Sequence, residues 1–282
     1  MSWDVTLAVL LAAMIHAGWN ARVKRGGDPL YETTLIHAWV ALPALVAVAL
    51  LPLPGPQATL CLAASTAVHC VYYHALAGAY RSGDLSFAYP IMRGSAPMLT
   101  ALLGVLVLDE RLAPLGWIGI GAVCAGVLSI GLARARTVDA VARRRSLGWA
   151  LLTAATIVAY TLIDSTGARS APTPWSYVAW LAAVEGPVLF AIVMARHRRP
   201  LLTYARARGL QPMATGVAAM LAYGIALWAM TRAPVGLVAA LRETSVLFAL
   251  LIARTVLGEP VGPMRWAGAA SIVVGIALLR LA

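Results

Sequence analysis

The chain has 282 residues, of which 61% are hydrophobic and only 12% are charged, about half the charged fraction of a typical soluble domain. This composition excludes an ordinary soluble globular protein and favours a membrane protein with several spans. The net charge of +11 does not indicate nucleic-acid binding, because most basic residues fall between apolar segments, where they hold loops on the cytoplasmic side.

Apolar segments long enough to cross a bilayer recur along the whole chain. They predict ten spans: residues 4–22, 30–51, 58–80, 85–108, 113–133, 147–168, 174–196, 211–232, 235–257 and 262–281. The two longest polar connections are residues 134–146 and 196–211. Because segments this long and without alternation cannot be barrel strands, the predicted fold class is an all-α integral membrane protein.

The second half of the sequence repeats the first at an offset of 149 residues. Five uncommon coincidences carry this repeat: Arg93 with Arg242, Glu110 with Glu259, Trp117 with Trp266, Gly119 with Gly268, and Gly126 with Gly275. We therefore predict two halves, residues 1–136 and 146–282, with five spans each. Because five is odd, the second half enters the membrane inverted, as in secondary transporters, which bind substrate near the midplane between the halves.

Three segments resemble the drug/metabolite transporter superfamily, EamA type: IHAGWNARVKRGGDP at 15–29, GDLSFAYPIMRGSAPMLTALLGVLVLDERL at 83–112, and LGE at 257–259. The resemblance covers essentially the whole chain. It implies a ten-helix carrier that moves small metabolites, often outward, by alternating access. It also implies a central cavity lined by the first, third, fourth, sixth, eighth and ninth spans. The ninth span departs from the family pattern, since it lacks proline and has Glu243 where the first half has Gly94.

Arg93 and Arg242 are the main candidates for substrate binding. Each lies ~12–13 Å from the start of its helix, close to the middle of a ~30 Å hydrocarbon core. A charge there needs a partner or an aqueous cavity. Guanidinium groups bind carboxylate or phosphate through paired hydrogen bonds, which indicates an anion site. A structural ion pair that holds helices together is the alternative.

Three acidic residues in the spans, Asp164, Glu185 and Glu243, are candidates for proton coupling or charge balancing. Neutralisation of an arginine is favoured for Asp164 and Glu243, and both roles stay open for Glu185. Pro90 and Pro97 each remove a backbone donor, which predicts either a hinge or a static kink in the fourth span.

Further polar and aromatic side chains are suited to line a cavity for an organic substrate. These predicted binding residues are His16, Trp19, Asn20, Tyr72, Tyr73, Tyr89, Tyr223 and Trp228. His37 and His74 are expected to pack between helices, and Glu110 and Glu259 to cap helices or pair with loop arginines. Small residues every four positions (Ala122 and Gly126; Ala267, Ser271 and Gly275) predict a close-packing surface, within the chain or in a dimer.

The sequence predicts a secondary transporter, and specifically an exporter, of an amino acid or another small carboxylate or anionic metabolite. A lipid or lipid-head-group flippase of the same superfamily is the alternative. Without a GxSxG, HExxH or metal-ligand pattern, we expect neither enzymatic activity, nor a metal, nor a cofactor. The expected partners are the substrate and the lipid bilayer, with no nucleic acid, and the chain is expected to be a monomer or a homodimer.

The expected location is a bacterial inner membrane. Fourteen basic residues in the connections on one side against four on the other place both termini outside the cell. The family resemblance implies termini in the cytoplasm, so the orientation stays open.

Overall fold

The computed structural model describes residues 1–23, 27–81, 85–132, 140–255 and 261–282. Their helices are α1 (Trp3–Val23), α2 (Pro29–Leu50), α3 (Pro56–Arg81), α4 (Leu85–Val107), α5 (Pro114–Leu132), α6 (Ala140–Ser170), α7 (Pro174–Arg208), α8 (Gln211–Met230), α9 (Val235–Arg242), α10 (Ser245–Thr255) and α11 (Pro263–Leu281). The described residues contain ten candidate membrane spans by length and composition, because α9 and α10 together form one span. The predicted all-α, ten-span fold is confirmed.

Local sequence signals explain where several helices begin. Proline is the first residue of five of them, α2, α3, α5, α7 and α11, and its fixed φ and missing N–H suit that position. Asp28 caps α2 by accepting a hydrogen bond from the Leu30 N–H at 2.8 Å. Thr173 caps α7 by accepting one from the Ser176 N–H at 3.1 Å. These caps satisfy backbone donors that the first turn leaves free.

The outer surface of the bundle is apolar. In α1, for example, Leu7, Leu11 and Met14 are exposed, whereas Val5 and Val9 are buried against other helices. The exposed side chains recur at helical spacing and form one stripe. An exposed stripe of large apolar residues is suited to contact with lipid rather than with water.

The basic segment 196–211 is helical to residue 208, so its prediction as a connection was wrong. α7 continues to Arg208, with a kink at His197, where φ is −132° and ψ is 38°. Pro200 lies in the first turn after the kink, where a proline is tolerated. Arginine, leucine and alanine are good helix formers, so the backbone stays helical after the hydrophobic run has ended.

The two halves pack in matched pairs of helices. The ends of α5 and α11 differ by the same 149 residues as the sequence repeat, and the two helices pack against each other. α3 packs on α6, and α1 packs on α8, which are equivalent contacts when the halves are exchanged. With five candidate spans in each half, successive crossings insert the halves in opposite directions.

The small-residue surface lies between α5 and α11, within the chain. A Cβ atom at Gly126 would lie 2.5 Å from the carbonyl oxygen of Gly268, and one at Gly268 would lie 2.7 Å from that of Gly126. The Ser271 hydroxyl donates a hydrogen bond to the Ala122 carbonyl at 2.7 Å. The close approach of these two helices therefore requires glycine at both crossing positions.

The ninth span is interrupted beside Arg242. The N–H of Glu243 donates to the carbonyl of Ala240 at 3.0 Å, and that of Thr244 donates to Leu241 at 3.2 Å. These tighter i to i−3 bonds end α9 before α10 begins. By contrast, the proline-containing fourth span is a single helix, α4, in which both prolines are buried.

Two ion pairs tie helix ends together on opposite sides of the bundle. On one side, Arg208 donates to both carboxylate oxygens of Glu32, at 2.8 Å and 3.0 Å. On the other, Arg169 lies 2.6 Å from Oε1 of Glu110, whose Oε2 accepts from the Val235 N–H at 2.9 Å. Glu110 therefore both pairs with an arginine and caps α9. Its repeat counterpart, residue 259, lies outside the described residues.

Candidate functional site

A central cavity of about 150 Å³ lies among the helices of both halves. All six helices that the family resemblance implied contribute to its walls, namely α1, α3, α4, α6, α8 and α9. α2 and α7 also contribute, through Thr33 and Glu185 among others.

Most of the predicted binding residues come together in this cavity. Those that line it are His16, Trp19, Asn20, Tyr72, Tyr73, Arg93, Tyr223 and Arg242, and Glu185, predicted for proton coupling or charge balancing, lines it with them. They come from six different helices, so only the tertiary packing of the bundle brings them together.

Arg93 forms an ion pair between the two halves. Its Nε lies 3.0 Å from Oε2 of Glu243, and its Nη2 donates to the Ser245 hydroxyl at 3.3 Å. The side chains of Arg93 and Glu243 are only 15% and 7% exposed. Both partners lie at the interruption between α9 and α10, so this arginine has a fixed counter-ion inside the protein.

Arg242 has different surroundings. Its guanidinium carbon lies 5.3 Å from the ring centroid of Tyr223. Within the described part of the chain, no carboxylate lies within ion-pair distance of Arg242. The Tyr223 hydroxyl donates to Asp164, which also accepts from Tyr177 at 2.8 Å. Arg242 therefore faces the cavity without a carboxylate in contact, and the Tyr223 side chain bridges it to the buried Asp164.

Glu185 lies in a cluster of aromatic and imidazole side chains. Its Oε1 is 2.6 Å from the Tyr73 hydroxyl and 3.2 Å from Nδ1 of His37, and its Oε2 is 3.9 Å from Nδ1 of His69. The His69 ring stacks on Tyr160 with 4.2 Å between the centroids. Glu185 is 2% exposed, so its charge depends on these neighbours.

The end of α1 supplies a second polar wall. Nδ2 of Asn20 lies 2.7 Å from Nε2 of His16, and the Trp19 ring meets that of His16 edge-on with 4.9 Å between the centroids. The spacing of four residues between His16 and Asn20 places them on one helix face, as expected.

Several predicted site residues lie elsewhere. Asp164 and Glu243 are buried beside the cavity but do not line it, and neither do Pro90 and Pro97. Trp228, which was predicted to bind substrate, follows Tyr223 by five positions and therefore points about 140° away from it around α8. The guanidinium carbon of Arg232 lies 4.8 Å from its ring. The side chain of Tyr89 is outside the described part of the structure.

Sequence reasoning did not assign several cavity residues to the site, among them three with ring side chains. His37, expected only to pack between helices, lines the cavity against Glu185, and Tyr160 and His69 line it as a stacked pair. One signal was available for Tyr160, which precedes Asp164 by four positions and shares its helix face.

Among the described residues, no group of three histidine, cysteine, aspartate or glutamate side chains is placed to hold a metal ion.

Comparison with known proteins gave a family match and matches to solved structures. A sequence model described as the EamA-like transporter family matches the chain twice, at residues 4–132 and 144–281. A solved structure, titled only as the crystal structure of a protein, matches with a TM-score of 0.78 and 18% identity, covering 99% of this chain and 98% of that one. At this identity the likeness shows the fold alone. No curated protein matches the chain.

Proposed function

Since the chain belongs to the EamA-like transporter family, we propose that it is a secondary transporter of a small organic anion, bound by Arg242 in the central cavity. Outward transport of an amino acid or another small carboxylate, expected from the sequence, is the form of this function that we propose to test.

The observation that carries the proposal is the contrast between the two arginines of the cavity. Arg93 has Glu243 as its counter-ion, whereas no described carboxylate contacts Arg242. Arg242 is partly buried, and a guanidinium group in such a site is stabilised by a counter-ion. A carboxylate or phosphate entering the cavity would supply the missing charge and two parallel hydrogen bonds. This need for a counter-ion favours an anionic ligand over a neutral or cationic one.

The cavity volume of about 150 Å³ limits the size of the substrate. A protein cavity of roughly this volume can hold a ligand the size of benzene, so a metabolite of about six to ten heavy atoms fits. Aromatic rings of Tyr72, Tyr160 and Tyr223 on its walls suit the organic part of such a molecule.

The position of the cavity supports transport by alternating access. It is lined by helices of both halves, and the halves are inserted in opposite directions. In transporters with inverted repeats, a site of this kind is exposed to each side of the membrane in turn as the halves rock against each other.

The first test is ligand-induced thermal stabilisation of the purified full-length protein. We expect at least one of lactate, succinate, glutamate and inorganic phosphate to raise the apparent melting temperature in proportion to the logarithm of its concentration above its Kd. Arg242→Gln should weaken the binding of that anion about ten- to hundredfold, because it removes a charge-assisted pair of hydrogen bonds.

Arg232→Gln is the matched control for this test. Arg232 also lies over an aromatic ring, that of Trp228, but it does not line the cavity. Its variant should therefore bind the anion like the wild type. Equal anion binding by wild type and Arg242→Gln would overturn the assignment of Arg242. Stabilisation by short-chain phosphatidylglycerol, and by none of the water-soluble anions, would point to the flippase alternative instead.

A further inference from the structure

Glu185, His37 and Tyr73, here called the triad, form a closed triangle of polar contacts on the cavity wall. The Tyr73 hydroxyl lies 2.6 Å from Oε1 of Glu185 and 2.8 Å from Nε2 of His37. Nδ1 of His37 in turn lies 3.2 Å from the same Oε1. The three side chains come from α7, α2 and α3, so the triangle joins three helices.

Two of the three contacts are hydrogen bonds that ordinary charges satisfy: the Tyr73 hydroxyl donates to Oε1 of Glu185 and can accept from Nε2 of a neutral His37. The third contact, 3.2 Å between Nδ1 of His37 and Oε1 of Glu185, is an ion-pair distance and is attractive only when His37 is protonated. Glu185 is buried, and a buried carboxylate is costly to leave without a compensating positive charge. An additional proton on the imidazole of His37 or on the carboxyl group of Glu185 removes this cost.

His69 is the other imidazole near Glu185, and its contact is longer. Nδ1 of His69 lies 3.9 Å from Oε2 of Glu185 and 3.0 Å from both the carbonyl and the hydroxyl oxygen of Ser65. Among the described residues, no arginine or lysine lies within ion-pair distance of Glu185. The other titratable groups that face the triad come from α3, α6 and α8: His69, Cys70, Tyr72, Tyr160 and Tyr223.

The proton and the anion site share one cavity. The His69 ring, beside Glu185, lies 6.4 Å from the ring centroid of Tyr223, and the Arg242 guanidinium carbon lies 5.3 Å from the same centroid. Without its proton the triad carries a buried negative charge that repels an anion on Arg242. Two charges about 10 Å apart in a partly buried site change each other's binding on the order of tenfold.

We propose that the triad is a proton-binding site and that one proton is bound together with one substrate anion. The second part of this inference rests on the proposed anion site at Arg242. Because such coupling is reciprocal, the anion strengthens proton binding by the same factor as the proton strengthens anion binding. Proton and anion then cross the membrane in the same direction. An inward proton gradient would drive the anion inward, so flux in a pH gradient also tests the export prediction.

The first experiment tests the triad without any ligand, by the apparent melting temperature between about pH 6 and about pH 9. A native state that holds the extra proton binds more protons than the unfolded chain as the pH rises, so its stability falls with pH. Glu185→Gln removes the need for that proton. We expect the wild type to lose more stability than Glu185→Gln over this range, and His37→Gln to resemble Glu185→Gln.

Glu32→Gln is the control for a buried carboxylate whose counter-ion keeps its charge, since Arg208 binds Glu32 at 2.8 Å. It should change stability by a similar amount at every pH. Parallel curves for the wild type, Glu185→Gln and His37→Gln would overturn the triad as a proton site. If Glu185→Gln fails to fold, the comparison of the wild type with His37→Gln decides the question.

The second experiment counts protons by calorimetric titration with lactate, succinate, glutamate or phosphate, in two buffers of different ionisation heat. With a tenfold coupling we expect uptake of up to about half a proton per anion in the wild type, at the pH where the triad is partly protonated, and none in Glu185→Gln. Anion binding without proton uptake would overturn the coupling. If none of the four anions binds, the anion proposal fails and the coupling fails with it, whereas the melting curves still decide the triad.

Discussion

At the scale of single residues, two arginines at equivalent positions of the repeat bring positive charge to the cavity wall. Arg93 is neutralised by Glu243, which lies in the opposite half. Arg242 contacts the Tyr223 ring, and that tyrosine's hydroxyl is bound to Asp164. The repeat thus places two guanidinium groups in the cavity wall, and different neighbours give them different surroundings.

Breaking the Arg93–Glu243 pair should destabilise the protein strongly. Arg93→Gln leaves the carboxylate of Glu243 buried without its counter-ion, which costs about 3–5 kcal/mol. The double variant Arg93→Gln with Glu243→Gln removes both charges and should recover most of that loss. Thermal or denaturant unfolding of the two single variants and the double variant measures the effect as a coupling free energy. Additive losses in the double variant would contradict a direct ion pair.

The residue types in the cavity could be anticipated from the sequence better than their partners. The positions of Arg93, Arg242 and Glu185 within long apolar segments marked them as exceptional, and the structure places all three on the cavity wall. The pairing of Arg93 with Glu243 depends on the fold of the whole bundle, because the two residues are distant in sequence. Trp228 was predicted to line the cavity but does not, because aromatic character alone does not tell which face of α8 points inward.

At the scale of helices, the backbone is interrupted where no proline occurs. The ninth span ends one helix at Arg242 and starts another at Ser245, while α4 continues through Pro90 and Pro97. A proline removes one donor, yet a well-packed helix tolerates that loss when its neighbours hold it in place. The role of the two prolines as hinges stays a prediction.

The crossing of α5 and α11 should be intolerant of a single added methyl group. Gly268→Ala would place a Cβ atom 2.7 Å from the Gly126 carbonyl oxygen, so the helices must separate. We expect a loss of about 1–3 kcal/mol, which is typical of overpacking. Gly148→Ala in α6 is the matched control, since a Cβ there meets no atom within 4 Å, and it should be neutral or slightly stabilising. Similar melting temperatures for the two variants would contradict the close packing.

At the scale of the whole molecule, the sequence was sufficient for the fold class. Ten apolar segments fixed the number of spans, and the family model that matches both halves agrees with the repeat seen in the sequence. The limits of α7 were not predictable from hydropathy, because helical backbone can continue beyond the hydrocarbon core. The central cavity was expected from the inverted repeat, but its walls needed the packing of α2 and α7 as well.

Each end of the bundle has an ion pair between helix-terminal segments. Glu110, in the loop after α4, pairs with Arg169 at the end of α6, and it also caps α9, which carries Arg242. Glu32 and Arg208 join α2 and α7 on the other side. The cavity therefore lies between two charged contacts, one near each surface of the membrane.

The most direct test of the central claim is the flux of a labelled anion into proteoliposomes that contain the full-length protein. Labelled lactate, succinate, glutamate and phosphate are measured separately for the wild type and the Arg242→Gln, Arg232→Gln and Arg93→Gln/Glu243→Gln variants. We predict that Arg242→Gln reduces flux of the transported anion to the level of empty liposomes, whereas Arg232→Gln retains the wild-type rate and the double variant retains a substantial part of it. Transport by Arg242→Gln at the wild-type rate would contradict the account.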